Sequence, residues 1–110
     1  MSKYAVSLHG TGCRIEVTER RFGLLSRTVL RPAGFYTTRF VEAATREAAA
    51  AAAVGLVLDE VKELNRSGTP PAVTAEEVRE DPEGYARHAP GSGFTWYLQD
   101  DTGPTKVLDG

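Results

Sequence analysis

His9 and Cys13 stand four residues apart across Gly10-Thr11-Gly12, and a thiol beside an imidazole is the pairing that yields a thiolate nucleophile. The alternation around them argues otherwise. Cys13 is in phase with Ile15 and Val17 and points inward, whereas His9 shares the outward phase of Ser7. A buried structural cysteine is the favoured reading. Gly10-Thr11-Gly12 resembles a phosphate cradle only in composition, since such a loop opens a helix and here a strand follows. His88 is the only other histidine, and no neighbour completes a ligand set with it, so no metal is expected. Glu76-Glu77 and Glu80-Asp81 read as solvated faces rather than as a general acid and base. No catalytic residue and no cofactor is assigned, and the chain is not expected to be an enzyme.

Arg39 is the more informative charge. It stands in the middle of Phe35–Ala43, in phase with Phe35 and Val41, and an arginine drawn into a core needs an anionic partner because unpaired burial is prohibitive. Glu42, Glu16, an acid from the C-terminal half, or an anionic ligand would serve, with the structural salt bridge favoured. Tyr36, Thr37, Thr38 and Arg39 are the candidate binding residues. A pocket holding Thr38, Arg39 and His9 together would point to an enzyme, and their dispersal to separate faces would end that reading. Arg39 among Phe35, Tyr36 and Phe40 is also a composition on which single-stranded nucleic acid can stack. Leu24 and Leu25, if they form a loop tip rimmed by Arg20, Arg21 and Arg27, make a candidate partner contact, with Arg21 joining it; the alternative, that they fold back as core, is favoured.

The elements that must position these residues follow from pattern. Tyr4, Val6 and Leu8 alternate with polar neighbours, as do Cys13, Ile15 and Val17. The sequence therefore predicts a first hairpin turning at Gly10–Gly12. Arg27–Arg31 is β-prone, and Pro32-Ala33-Gly34 reads as a breaker. Phe35–Ala43 is the strongest strand, apolar on both faces, and so expected to lie centrally under a helix, with a loop, the C-terminal segment or another subunit on its other side. Thr45 is the expected N-cap of an alanine-rich helix over about residues 45–65. Its buried stripe is predicted at Val54, Val57, Leu58, Val61 and Leu64, extended by Ala50 and Ala51. Pro70-Pro71 follows, then Ala72–Val78, open to a strand or a short helix with the Val73/Ala75 alternation favouring the strand, a short helix opened by Asp81-Pro82, and an aromatic strand or anchor over Phe94–Leu98. The expected fold is α+β: an antiparallel sheet of four to five strands with one long helix packed on one face, in the order β-β-(β)-β-α-β-(short α)-β. It forms a single domain over residues 1–110, with residues 99–110 frayed.

Composition narrows the class. A chain of 110 residues that is 41% hydrophobic and 25% charged suits one globular domain and not a disordered tail. One cysteine allows no intramolecular disulfide, which points to a reducing, cytoplasmic setting. The longest apolar run, Ala48 to Leu58, is about half of the ~20 residues a membrane span requires. Net charge is −2, yet residues 1–46 carry eight basic and three acidic side chains while residues 47–110 carry five basic and twelve acidic. The split suits halves, or copies, that neutralise one another better than it suits a polyanion surface.

Gly34-Phe-Tyr-Thr-Thr-Arg-Phe-Val-Glu-Ala43, followed by a helix containing Glu47-Ala48, resembles the GF(F/Y)TTRxVEA strand-to-helix motif of a family of small bacterial proteins of unknown function. Pro70-Pro71-x-Val-x-x-Glu76-Glu77-Val78 and Gly93-Phe94-Thr95-Trp96-Tyr97 look like the same family, so the resemblance spans about residues 3–98. It implies a class and no activity. The strand–helix–strand order also has a looser likeness to HicB-type antitoxins, an architectural analogy only. The function expected from the residues is a non-enzymatic protein-binding or assembly module, a homodimer formed through the sheet's second face or its edge. The alternative is a nucleic-acid-binding or antitoxin-like regulator using the N-terminal arginines.

Overall fold

The computed structural model describes residues 1–21, 25–99 and 106–108, with side chains at 20–21, 25–26 and 106–108 left aside. The chain is α+β, in the order β1 (Ser2–Arg21), β2 (Leu25–Ala43), α1 (Arg46–Val61), β3 (Ala72–Glu80), α2 (Pro82–His88), β4 (Thr95–Leu98) and β5 (Lys106–Leu108). All pairings are antiparallel, and the sheet runs β3-β1-β2-β4-β5. Of the tail expected to fray, residues 106–108 pair with β4.

Gly10–Gly12 does not turn the chain. β1 runs through it, and the phase change from Tyr4/Val6/Leu8 to Cys13/Ile15/Val17 comes from a bulge. Gly10 pairs with Phe35 and Cys13 with Ala33, so two residues of β1 face one of β2. Gly12 takes the positive φ of 85° that such a bulge asks for. A bulge and a two-residue turn shift the alternation alike, which is why the pattern suggested a hairpin there. Nor does Pro32 break β2. The Pro32 carbonyl accepts from Gln99 N–H at 2.9 Å, so its backbone faces away from β1 and the missing N–H costs that ladder nothing. The two strands expected at 27–31 and 35–43 are one.

Thr45 caps α1 as expected, its hydroxyl accepting from Ala48 N–H at 3.1 Å. The helix ends at Val61 rather than near residue 65, because Leu64 N–H and Asn65 N–H both turn back onto the Val61 carbonyl at 2.9 Å. Its buried stripe is Ala49, Ala53, Val57 and Val61. Ala50 and Ala51 are not in it, and Leu64 is 48% exposed. Within six consecutive alanines any phase fits the pattern, so only the valines fixed it. The small stripe sits on Tyr4, Val6, Leu8, Cys13, Phe35, Val41 and Ala43 of the sheet. Gly10 is part of that surface, for the Phe35 ring lies where a β-carbon at position 10 would be.

α2 lies on the opposite face of the sheet. Asp81 caps it, accepting from Gly84 N–H at 3.0 Å, while Asp81 N–H donates to the Lys3 carbonyl at 2.9 Å. Gly84 rests on the Phe40 ring, and Lys3 Nζ stands 5.3 Å from the centre of the Tyr85 ring. The second surface of β2 is thus covered by α2 at one end only.

Candidate functional site

Between Ala33 and Ala43, β2 sends its odd residues to the α1 side and its even residues to the second face, and this alternation splits the candidate residues. Arg39 is fully buried on the α1 side. Its Nε donates to Glu60 Oε1 at 3.4 Å and its Nη2 to Glu60 Oε2 at 2.6 Å. Nη1 donates to the Thr37 hydroxyl and to the Thr38 carbonyl, and Nη2 also to the Gly93 carbonyl. A guanidinium has five N–H groups, and each has an acceptor here. The Phe94 ring, 5.1 Å away, closes the site. The salt bridge is the structural one, and Arg39 keeps no donor for a ligand. Its partner is an acid of the C-terminal half, placed by the last turn of α1.

Thr38 and His9 emerge on the other face, so the three residues that would have made an enzyme site are dispersed across the sheet. His9 stacks on Tyr36 with ring centres 4.5 Å apart, and on Tyr97 at 5.7 Å. Its Nε2 is hydrogen-bonded to the Tyr97 hydroxyl. Tyr97 owes its place to Gly34, directly opposite it in the ladder: a β-carbon at Gly34 would occupy the Tyr97 ring. Burial pushes the Tyr97 phenol above its usual pKa, aided by Tyr36, Glu76 and Cys13 nearby. Cys13 is buried in the core, and burial raises its thiol to about 11. Such a thiol is an inert filler, not a nucleophile. Of the partner-contact candidates, Leu24 and the side chains of Arg21 and Leu25 lie outside the described residues.

Between the aromatic stack and α2 the second face is open. A cleft of about 720 Å³ crosses four strands there, lined by Glu76 of β3, Ser7 and Leu8 of β1, Tyr36, Thr37, Thr38 and Phe40 of β2, and Thr95 of β4. His88 and the Gly91–Phe94 segment form its wall. That wall is fastened to β2 from beneath. The Thr37 hydroxyl donates to the Gly93 carbonyl at 2.6 Å, Phe40 N–H donates to the Pro90 carbonyl at 2.8 Å, and Arg39 reaches Gly93 as described. Arg39 therefore positions a wall of the cleft without entering it.

Three of the four sequence-predicted binding residues, Tyr36, Thr37 and Thr38, line the cleft. Tyr36 is half exposed, 50%. Glu76, His88 and Phe94 were not foreseen as neighbours, because they come from three distant segments and only the sheet order joins them. The signal that could have found the aromatic stack is Gly34 itself, read as a breaker when it is a seat for a ring. Among the described residues no group of acidic, histidine or cysteine side chains could hold a metal ion, and no helix is long and apolar enough to cross a membrane. No protein-family model matches the chain, and no curated protein and no solved structure matches it either.

Proposed function

We propose that this chain is a non-enzymatic, cytoplasmic protein-binding and assembly module that works as a homodimer and takes a cationic segment of another protein on the second face of its sheet. The observation that carries the reading is the composition of the open cleft. Its walls are the rings of Tyr36 and Phe40, its rim is the hydroxyls of Ser7, Thr38, Ser92 and Thr95, and among the described residues its one carboxylate is that of Glu76. An exposed ring face beside a carboxylate is the surface that a lysine or arginine side chain prefers. The spent donors of Arg39 support binding without an anionic ligand, and the buried thiol of Cys13 supports a role other than covalent catalysis. The lone cysteine supports a reducing compartment. Kinship with the small bacterial proteins that Gly34–Ala43 resembles belongs to the same reading. Its support is that the run acts as one unit, with Gly34 seating Tyr97, Tyr36 facing the cleft, and Thr37 and Arg39 holding its wall.

The test is titration of isotope-labelled protein with arginine-rich, lysine-rich and glutamate-rich peptides, followed by amide shifts. The basic peptides should move Ser7, Tyr36, Thr38, Glu76 and Thr95. Tyr36→Ala and Glu76→Gln should each weaken binding about 5- to 30-fold, the size of one ring–cation or charge contact. Equal response to the acidic peptide would refute the reading. One observation favours a second, a nucleic-acid-binding or antitoxin-like regulator: Arg14, Arg27 and Arg31 are exposed on a two-stranded ribbon, a shape the major groove admits. That reading requires retention on duplex DNA that weakens steeply with salt.

A further inference from the structure

β1 and β2 continue as a bare two-stranded arm beyond the rest of the sheet. β3 pairs with β1 only as far as Thr11, and β4 pairs with β2 only from Ala33 to Tyr36. Residues 13–21 and 25–33 stay paired with each other in an unbroken register. An isolated two-stranded ribbon is marginal in water, and this one turns a free edge of β1 outward. Arg14 marks which backbone groups point that way: its N–H donates to Asn65 Oδ1 at 2.9 Å, and its carbonyl accepts from Arg66 N–H at 2.7 Å. By alternation Glu16, Thr18 and Arg20 present their N–H and C=O groups on the same side. Among the described residues no strand pairs with them. Such an edge is a template for another strand.

We infer that the occupant of this edge is the same edge of a second copy, paired antiparallel about a two-fold axis through Thr18. This inference rests on the assembly half of the proposed function and names its interface. Charge selects the register. An antiparallel contact between identical edges can be centred on an outward or an inward residue; centring on Ile15 needs the Arg14 groups already bonded to Asn65 and Arg66, and centring on Val17 or Glu19 sets no opposite charges face to face. Centring on Glu16 sets two glutamates opposite each other, and centring on Arg20 sets two arginines opposite each other, both unfavourable. Centring on Thr18 pairs Thr18 with Thr18, Glu16 with Arg20 of the second copy, and Arg20 with Glu16. Opposite charges then face each other twice by symmetry. The two ribbons become one four-stranded sheet.

The experiment is sedimentation equilibrium on the full chain and three kinds of variant, with circular dichroism to confirm that each is folded. Thr18→Pro removes an N–H that faces away from β2, so the intramolecular ladder survives and the dimer alone should be lost. Glu16→Arg and Arg20→Glu each place like charges across the axis twice and should weaken association about 100-fold or more. The double exchange Glu16→Arg with Arg20→Glu should restore it. A wild-type chain that is monomeric at about 100 µM, far above the range of a stable dimer, overturns the inference and the homodimer with it. A dimer indifferent to Thr18→Pro and to both single exchanges overturns the arm alone. Tyr36→Ala should leave the dimer unchanged, which keeps the cleft's fate separate from the arm's.

Discussion

The ion pair between Arg39 and Glu60 is asymmetric, and the asymmetry makes a sharp prediction. The Arg39 side chain has no exposure while that of Glu60 is 36% exposed. Glu60→Ala leaves a fully buried guanidinium short of two of its five acceptors and of its counter-charge, with only the Thr37 hydroxyl, two carbonyls and the Phe94 ring around it. Breaking a buried pair in this way costs about 3–5 kcal/mol. Arg39→Met keeps most of the buried volume. The Glu60 carboxylate it strands can take water, and the loss is that of hydrogen bonds to Thr37, Thr38 and Gly93, about 1–3 kcal/mol together. The double variant should therefore be more stable than Glu60→Ala alone, with a coupling of about 2 kcal/mol or more. Urea unfolding of the four proteins at pH 7 and one ionic strength measures this, with the denaturant slopes confirming a common transition. A Glu60→Ala cost under about 1 kcal/mol, or a double variant as unstable as the sum of the singles, would show that the pair does not neutralise a buried charge. Arg39→Met should also free the Gly91–Phe94 wall, raising amide exchange there while the α1 core stays protected.

Three other outcomes follow from the same physics. Cys13, with its thiol raised to about 11, should resist an aromatic disulfide reagent at pH 8 in the folded chain and react promptly in denaturant. Because the unfolded thiol ionises near 9.0 while the folded one stays protonated, the native state binds more protons between those values. Stability should fall as pH rises from about 9 to 11, by at most about 3 kcal/mol, and Cys13→Ala should flatten that slope; the raised Tyr97 phenol acts in the same direction at higher pH. Gly34→Ala should displace the Tyr97 ring, break its bond to His9 and cost about 1–3 kcal/mol by overpacking, seen as a lower urea midpoint and a changed near-ultraviolet dichroism; an unchanged spectrum would contradict the ring's seat. Asp81→Ala should cost about 1 kcal/mol through loss of the α2 cap, measurable as a lower melting temperature.

What the sequence made legible were features set by nearest neighbours. The inward phase of Cys13, the outward phase of His9, the Thr45 cap, the Asp81-Pro82 start and the need of Arg39 for a carboxylate can each be read within a few residues. The features set by distant segments were not legible. Gly10 and Gly34 look like punctuation in a one-dimensional string, yet each is vacant space filled by a ring from the neighbouring strand, Phe35 on one face and Tyr97 on the other. Pro32 looks like a breaker until it is known which side of its strand is paired. The cleft joins Glu76, Ser7, Tyr36 and Thr95 only because β3 and β4 return to flank the β1–β2 hairpin, and that order has no local signature.

The two faces of β2 differ in how they use their polar groups, and the difference explains why Arg39 stays out of the cleft. On the α1 side, ridges of alanine bring the helix close enough for Glu60 to reach Arg39, and Glu60, Thr37, Thr38 and Gly93 together take every N–H of the guanidinium. On the other side, α2 is only seven residues long and packs on Phe40, leaving Tyr36 and Thr38 exposed. The uncovered part is where the hydroxyls, the Tyr36 ring and Glu76 retain unspent capacity. Arg39 serves that surface from behind, through the Gly93 carbonyl. A charge buried to hold a wall rigid lowers the entropy a ligand must otherwise meet on binding, which is preorganisation by a residue the ligand never touches. The arm edge at Thr18 lies at the opposite end of β1 from α2, so pairing there leaves both clefts of a dimer open. A partner carrying two cationic segments would then engage both at once and gain avidity from the spacing alone.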